Sequence, residues 1–163
     1  MSDITFYLAQ HGLAVDSSVD SQRPLSNTGS MQTESIARHL CDCEVPVSRV
    51  FHSGKLRASQ TGEIFTDIFH LDSASAIDTF SANHDIFQTV DRLTVDNALY
   101  IGHLPHLAKL VSFLVTGSED SNPVCFSNSA VACMQRTGDD YQLCWYLTPD
   151  IVTANLVSDR STL

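Results

Sequence analysis

Apolar residues along this chain alternate between short continuous runs and longer stretches with helical spacing. Ile4-Thr5-Phe6-Tyr7-Leu8-Ala9 is a compact run that stops at polar Gln10-His11-Gly12, which predicts a buried first strand. Leu13 to Gln22 is polar and rich in serine and aspartate, hence a loop. Ser26 or Thr28 can cap a helix reaching about Leu40, with Met31, Ile36, Ala37 and Leu40 on its apolar stripe. Pro46 interrupts, and Arg49-Val50-Phe51-His52 predicts a short strand. The spacing from Leu56 to Phe69 predicts a helix that buries Ile64, Phe65, Ile68 and Phe69.

The second half repeats this rhythm. Ser73 to Phe80 reads as a strand, Ile86 to Leu93 as a short helix, and Ala98-Leu99-Tyr100-Ile101 as a buried strand. Pro105 suits the first turn of a helix, where its missing N–H would be unpaired anyway. Leu107, Leu110, Val111, Leu114 and Val115 form that helix's apolar face, and Gly117 ends it. Ser129 to Arg136 and Tyr141 to Leu147 flank Thr137-Gly138-Asp139-Asp140, a hairpin signature. The tail after Pro149 is uninformative. Alternating strands and helices predict a three-layer α/β/α sandwich, a mostly parallel sheet of about six strands with a C-terminal antiparallel hairpin. Residues 1–163 then form one domain, since 43% hydrophobic content supplies one full core and the length leaves no room for a second.

Composition narrows the function. A formal charge of −10 argues against nucleic acid, whose phosphates need a basic face. No apolar stretch approaches the roughly 20 residues of a membrane span, and Met1-Ser2-Asp3 lacks a basic signal region, so the expectation is a cytoplasmic protein away from membranes. Five cysteines cannot all pair, and Cys41, Cys43, Cys125, Cys133 and Cys144 match no zinc quartet, which predicts reduced thiols. His103 and His106, three apart without carboxylate or thiol partners, make a poor metal pair. Against the acidic background, Arg23, Lys55 and Arg57 are the informative cations, able to make a local positive pocket.

The candidate chemistry sits at element boundaries. His11 follows the first strand, Ser53 to Arg57 the second, and His103 the strand ending at Ile101. Parallel strands with right-handed crossovers bring such ends to one edge of the sheet, where ligands bind. Two imidazoles and several guanidinium donors suit a phosphoryl group, because arginine's planar fork matches phosphate oxygens. The segments Arg23-Pro24-Leu25-Ser26-Asn27-Thr28-Gly29, His52-Ser53-Gly54-Lys55-Leu56-Arg57-Ala58-Ser59-Gln60-Thr61 and Gly102-His103-Leu104-Pro105 carry a resemblance that spans Ile4 to about Leu147. Together with Gln10-His11-Gly12 they resemble the histidine phosphatase superfamily, with its phosphoglycerate-mutase-like fold, and especially its short SixA-type phosphohistidine phosphatase branch.

That resemblance implies a phosphatase in which His11 is the nucleophile and forms a phosphohistidine that water then cleaves. It implies that Arg57 and His103 neutralise the transferring group and that Arg23 completes the clamp, with Gln10 and Gly12 also on the substrate. No metal or cofactor is required. The partner implied is a phosphorylated protein, such as a histidine-phosphotransfer domain, or a small phosphate compound, and the expected state is a monomer.

One position departs from the family pattern. Most of the superfamily carries arginine where this chain has Gln10, so an N–H₂ donor remains but the charge and the fork are lost. A charge-assisted hydrogen bond is worth about 1.5–3 kcal/mol, or roughly 10- to 100-fold in rate. Losing that cation would also let His11 protonate more readily. A general acid for the leaving group is missing from any clear motif, Asp85 and His84 being the nearby candidates. A phosphoramidate, whose imidazole leaving group can already carry its proton, needs such an acid less than an ester does. Open alternatives are a phosphate-binding module that has lost turnover and a phosphatase of small esters.

Overall fold

The first apolar run forms β1 (Ile4–Gln10), and its alternate side chains enter two different cores. Phe6 and Leu8 join one core; Tyr7 and Ala9 join the other. A sheet buried on both faces is therefore written into this one strand. The computed structural model describes residues 2–153. Its further elements are α1 (Asn27–Asp42), β2 (Arg49–His52), α2 (Leu56–Ile68), β3 (Ser75–Ala76), α3 (Ile86–Val90), β4 (Ala98–Gly102), α4 (His106–Thr116), β5 (Val131–Thr137) and β6 (Asp140–Leu147).

The six strands run in the order β3-β2-β4-β1-β5-β6. β3, β2, β4 and β1 are mutually parallel, whereas β5 runs antiparallel to β1 and pairs with β6 as the expected hairpin. Leu107, Leu110 and Leu114 of α4 cover one face with Ile86 of α3. Ile36, Ala37 and Leu40 of α1 cover the other with Ala58 and Phe65 of α2. The α/β/α sandwich expected from the sequence is the observed architecture.

Several local expectations change. Met31 is 69% exposed and Thr33 takes its place on the buried stripe, because the Thr33 hydroxyl donates to the Gly29 carbonyl and meets the Ser129 hydroxyl. Val115 is 38% exposed in the last turn of α4, off the Leu107–Leu110–Leu114 line. In α2 only Phe65 of the four expected core residues is fully buried; Ile64, Ile68 and Phe69 pack half-buried. The strand expected over 73–80 shrinks to two residues, after which a 3₁₀ turn at Asp78–Phe80 stacks Phe80 on Tyr100 at 5.1 Å. Seating that ring in the core takes the chain out of the sheet. The short helix expected to reach Leu93 ends at Val90. A helical turn over 149–153 seats Val152 in the second core, and the remainder of the tail lies outside the described residues.

Candidate active site

Because β1, β2 and β4 are parallel, their carboxyl ends meet at one sheet edge. The His11 and His103 rings lie there with centroids 4.8 Å apart, inclined by 50°. Nδ1 of His11 donates to the Gly12 carbonyl at 2.7 Å, which leaves Nε2 as the free lone pair. Nε of Arg57 donates to that Nε2 over 3.3 Å. The same guanidinium, through Nη2, donates to Nδ1 of His103 at 3.4 Å. Arginine can only donate, so His103 carries its proton on Nε2 and gives it to the Ser53 hydroxyl.

His11, Arg57 and His103 line an open cleft of about 320 Å³ together with Gln10, Arg23 and Asn128, walled by Leu13, Ala14, Ala82 and Leu104. A slightly larger pocket of about 350 Å³ beside Ser48–Phe51 and residues 70–73 contains neither histidine of the cleft. Chemistry, not size, singles out the smaller one.

Burial is the main influence on the cleft histidines. It pushes His11 down to about 4, opposed by the Gly12 hydrogen bond and aided by the charges of Arg57 and Arg23. His103 is pushed down to about 3, by burial first and then by His11 and Arg57. Both imidazoles are neutral at pH 7. Arg57 is itself lowered from its ordinary value by burial and by Arg23, yet a guanidinium remains charged. The cleft thus combines fixed positive charge with an unprotonated ring nitrogen, which is what acceptance of a phosphoryl group demands.

No protein-family model matches the chain. The phosphohistidine phosphatase SixA of Escherichia coli K12 is 32% identical over 134 residues, a span covering 77% of this chain and 81% of that protein. The chain belongs to the SixA family of the histidine phosphatase superfamily. A solved structure of the protein histidine phosphatase SixA complexed with tungstate superposes with a TM-score of 0.77 at 29% identity, covering 91% of this chain and 99% of that one. The alpha-ribazole phosphatase of Shigella flexneri shares the fold at 15% identity, with a TM-score of 0.74 over 90% of this chain and 97% of its own.

In this SixA-family chain several of the motif residues serve as struts. The Thr61 hydroxyl donates to the Arg57 carbonyl at 2.7 Å and accepts the Gly12 N–H at 2.9 Å, tying the segment after His11 to the one that bears Arg57. Gln60 accepts the Leu25 N–H at 2.7 Å and so anchors the loop that carries Arg23. Arg23 holds a left-handed backbone, φ 50°, and its Nε donates to the Val15 carbonyl at 3.2 Å. Gly29 is obligatory for contact: a Cβ there would lie 2.1 Å from the Leu13 carbonyl oxygen.

Three expectations are revised. Gly12 does not present itself to a ligand, because Thr61 takes its N–H and His11 takes its carbonyl. Its role is steric, since a Cβ would stand 2.7 Å from the Thr33 hydroxyl. Asp85 caps α3, accepting the Phe87 N–H at 2.9 Å, and His84 bonds Gln88 at 3.1 Å. Neither reaches the cleft, whose wall in that region is Ala82. Gln10 does line the cleft, but its Oε1 is buried without a hydrogen-bond partner.

Sequence reasoning missed Asn128. Its Nδ2 donates to the His11 carbonyl at 3.1 Å, and the neighbouring Ser129 N–H bonds the Gln10 and His11 carbonyls. The signal was topological: β5 runs antiparallel to β1, so the residues that precede β5 must lie beside the carboxyl end of β1.

Proposed function

We propose that this protein is a phosphohistidine phosphatase that works through a covalent intermediate on His11. Nε2 attacks phosphorus in line, the N–P bond to His11 forms, and the substrate's own P–N bond breaks as its imidazole departs with the proton it carries. Water then attacks the phosphohistidine and releases phosphate, so one difficult transfer becomes two easier ones. Arg57 and Arg23 hold the equatorial oxygens, with the Gln10 carboxamide as a neutral donor. His103 positions the Arg57 guanidinium and faces the same oxygens. Preorganised cations of this kind stabilise developing charge without reorganising.

The observation that carries the reading is the composition of the cleft. It holds two neutral imidazoles and two guanidiniums and is lined by no carboxylate among the described residues. An ester phosphatase needs an acid to protonate an alkoxide; a phosphoramidate with a protonated imidazole does not. The substrate proposed is therefore a phosphohistidine on a protein partner, such as a histidine-phosphotransfer domain, and the open cleft admits it.

The test is hydrolysis of a phosphohistidine-bearing carrier and of a chromogenic ester by wild-type and His11→Ala protein. Loss on the order of 10³-fold or more in the variant supports the nucleophile. Hydrolysis indifferent to His11→Ala removes it. Gln10 favours a second reading, a phosphate-binding module without turnover, which binding in the absence of hydrolysis would select.

A further inference from the structure

Eight large hydrophobic side chains stand exposed among the described residues; two of them line the cleft, and two more lie on segments that carry cleft residues. Leu13 (41%) and Leu104 (40%) form its rim, Leu56 (40%) precedes Arg57, and Val19 (78%) tops the loop between Ala14 and Arg23. They come from three separate connections, after β1, after β2 and after β4. Packing leaves a large part of each of these side chains in solvent, most of all Val19, and apolar side chains gathered near a polar site mark a contact surface.

The exposure of Val19 is built, not incidental. The loop is closed at its base by the Ala14–Leu25 bridge and by Val15 N–H to the Pro24 carbonyl at 2.8 Å. Its tip is a tight turn, with Val19 N–H and Asp20 N–H both on the Asp16 carbonyl at 3.0 and 3.1 Å. The same tip exposes the carboxylates of Asp16 and Asp20, while Arg23 at its base lines the cleft. Along this loop charge is thus sorted, with Arg23 at the base on the cleft and Asp16 and Asp20 at the exposed tip, while Lys55 adds an exposed cation beside Leu56.

The geometry points to a seat for a protein surface, formed by Leu13, Val19, Leu56 and Leu104 with Asp16 and Asp20, that receives a partner whose phosphohistidine is flanked by apolar and basic residues. This rests on the phosphohistidine reading above. The phosphoryl dianion enters toward Arg57 and Arg23, and the surface that bears it closes on the apolar rim. Lysines or arginines beside it meet the two aspartates and an acidic molecule of formal charge −10. A small phosphoramidate touches only the cleft and gains nothing from Val19 or Leu56.

The test compares two substrates, a histidine-phosphotransfer domain phosphorylated on histidine and the phosphoramidate ion. The double variant Val19→Ser, Leu56→Ser is expected to raise KM for the phosphoprotein about tenfold, with kcat unchanged and phosphoramidate hydrolysis as in wild type. Asp16→Asn with Asp20→Asn is expected to weaken the phosphoprotein at low salt and to match wild type at high salt. Equal effects on the two substrates, or none on the phosphoprotein, overturn the seat. So does loss of self-association in the variants, which would assign the rim to a second copy of the chain. Turnover of phosphoramidate alone by the wild type also overturns the seat while sparing the phosphatase. Turnover of neither substrate overturns the phosphatase reading itself.

Discussion

Nε of Arg57 donates to Nε2 of His11 across 3.3 Å, so the cation rests against the one ring atom left free to attack. The contact explains two properties at once. In the proposed reaction it marks where the phosphoryl oxygens sit, because a guanidinium bound to a neutral nitrogen exchanges that weak partner for an anion. It also opposes protonation of His11, since a proton on Nε2 would face a fixed positive charge.

Replacing Arg57 should therefore act on rate and on titration together. Arg57→Lys keeps a charge but loses the planar fork that reaches both His11 and His103. Its kcat is expected to fall by roughly 10²–10³-fold, as when one preorganised donor is removed from a transition state. In Arg57→Ala, the His11 pKa, followed by NMR, is expected to rise above its value of about 4. An unchanged His11 titration would mean that the guanidinium is not its neighbour in solution.

Gln10 makes a different prediction from the one its sequence position invites. A missing cation at position 10 suggests that His11 protonates easily and that Gln10→Arg would restore activity at acidic pH. The structure assigns the depression of His11 first to burial, with Arg57 and Arg23 already adding charge. Gln10→Arg is thus expected to raise kcat/KM by roughly 10- to 100-fold near neutrality, with the acidic limb of the profile moving by less than about one unit. A limb displaced by two units would show that charge at position 10, not burial, sets the His11 protonation state.

Four buried histidines set a pH window for stability, His52 among them, lowered by burial. His11 and His106 are held down to about 4 and His103 to about 3, mainly by burial, from an ordinary value of 6.5. The unfolded chain binds these protons first on acidification, so stability is complete above about 6.5 and is lost as pH falls toward 4. Tm is expected to drop across that window, before ordinary carboxylates titrate. His106, 1% exposed and bonded through Nε2 to Thr89 at 2.9 Å, lies outside the cleft's own set. His106→Gln should flatten the dependence of Tm on pH, and an unaltered slope would exclude His106 as a contributor.

The sandwich and the meeting of His11, Arg57 and His103 were legible because continuous apolar runs, helical spacing and strand-end placement are local signals with a topological consequence. β2 was read to the residue, Arg49–His52, from four positions. What stayed hidden depended on contacts between segments distant in sequence. Thr33 displaced Met31 from the buried face through its bonds to Gly29 and Ser129. Phe80 left the sheet to stack on Tyr100. Asn128 reached His11 across 117 positions. Asp85, plausible as an acid by location, was taken by the backbone of α3 as its cap.

Thr61 is the strut on which the site's geometry turns. It is fully buried and joins the Gly12 N–H to the Arg57 carbonyl, so one hydroxyl ties the residue after the proposed nucleophile to the residue that carries the cation. Thr61→Val preserves shape and removes both bonds, leaving a buried N–H unpaired at about 1–3 kcal/mol. Catalysis should suffer more than folding does, because small misplacements at a reacting centre can cost about 10²-fold. The expected signature is a fall in kcat with KM for the phosphorylated substrate little changed, and recovery in Thr61→Ser, which restores the hydroxyl. If Thr61→Ser fails to recover what Thr61→Val loses, packing of the methyl group, not the hydrogen-bonded strut, is what the position supplies.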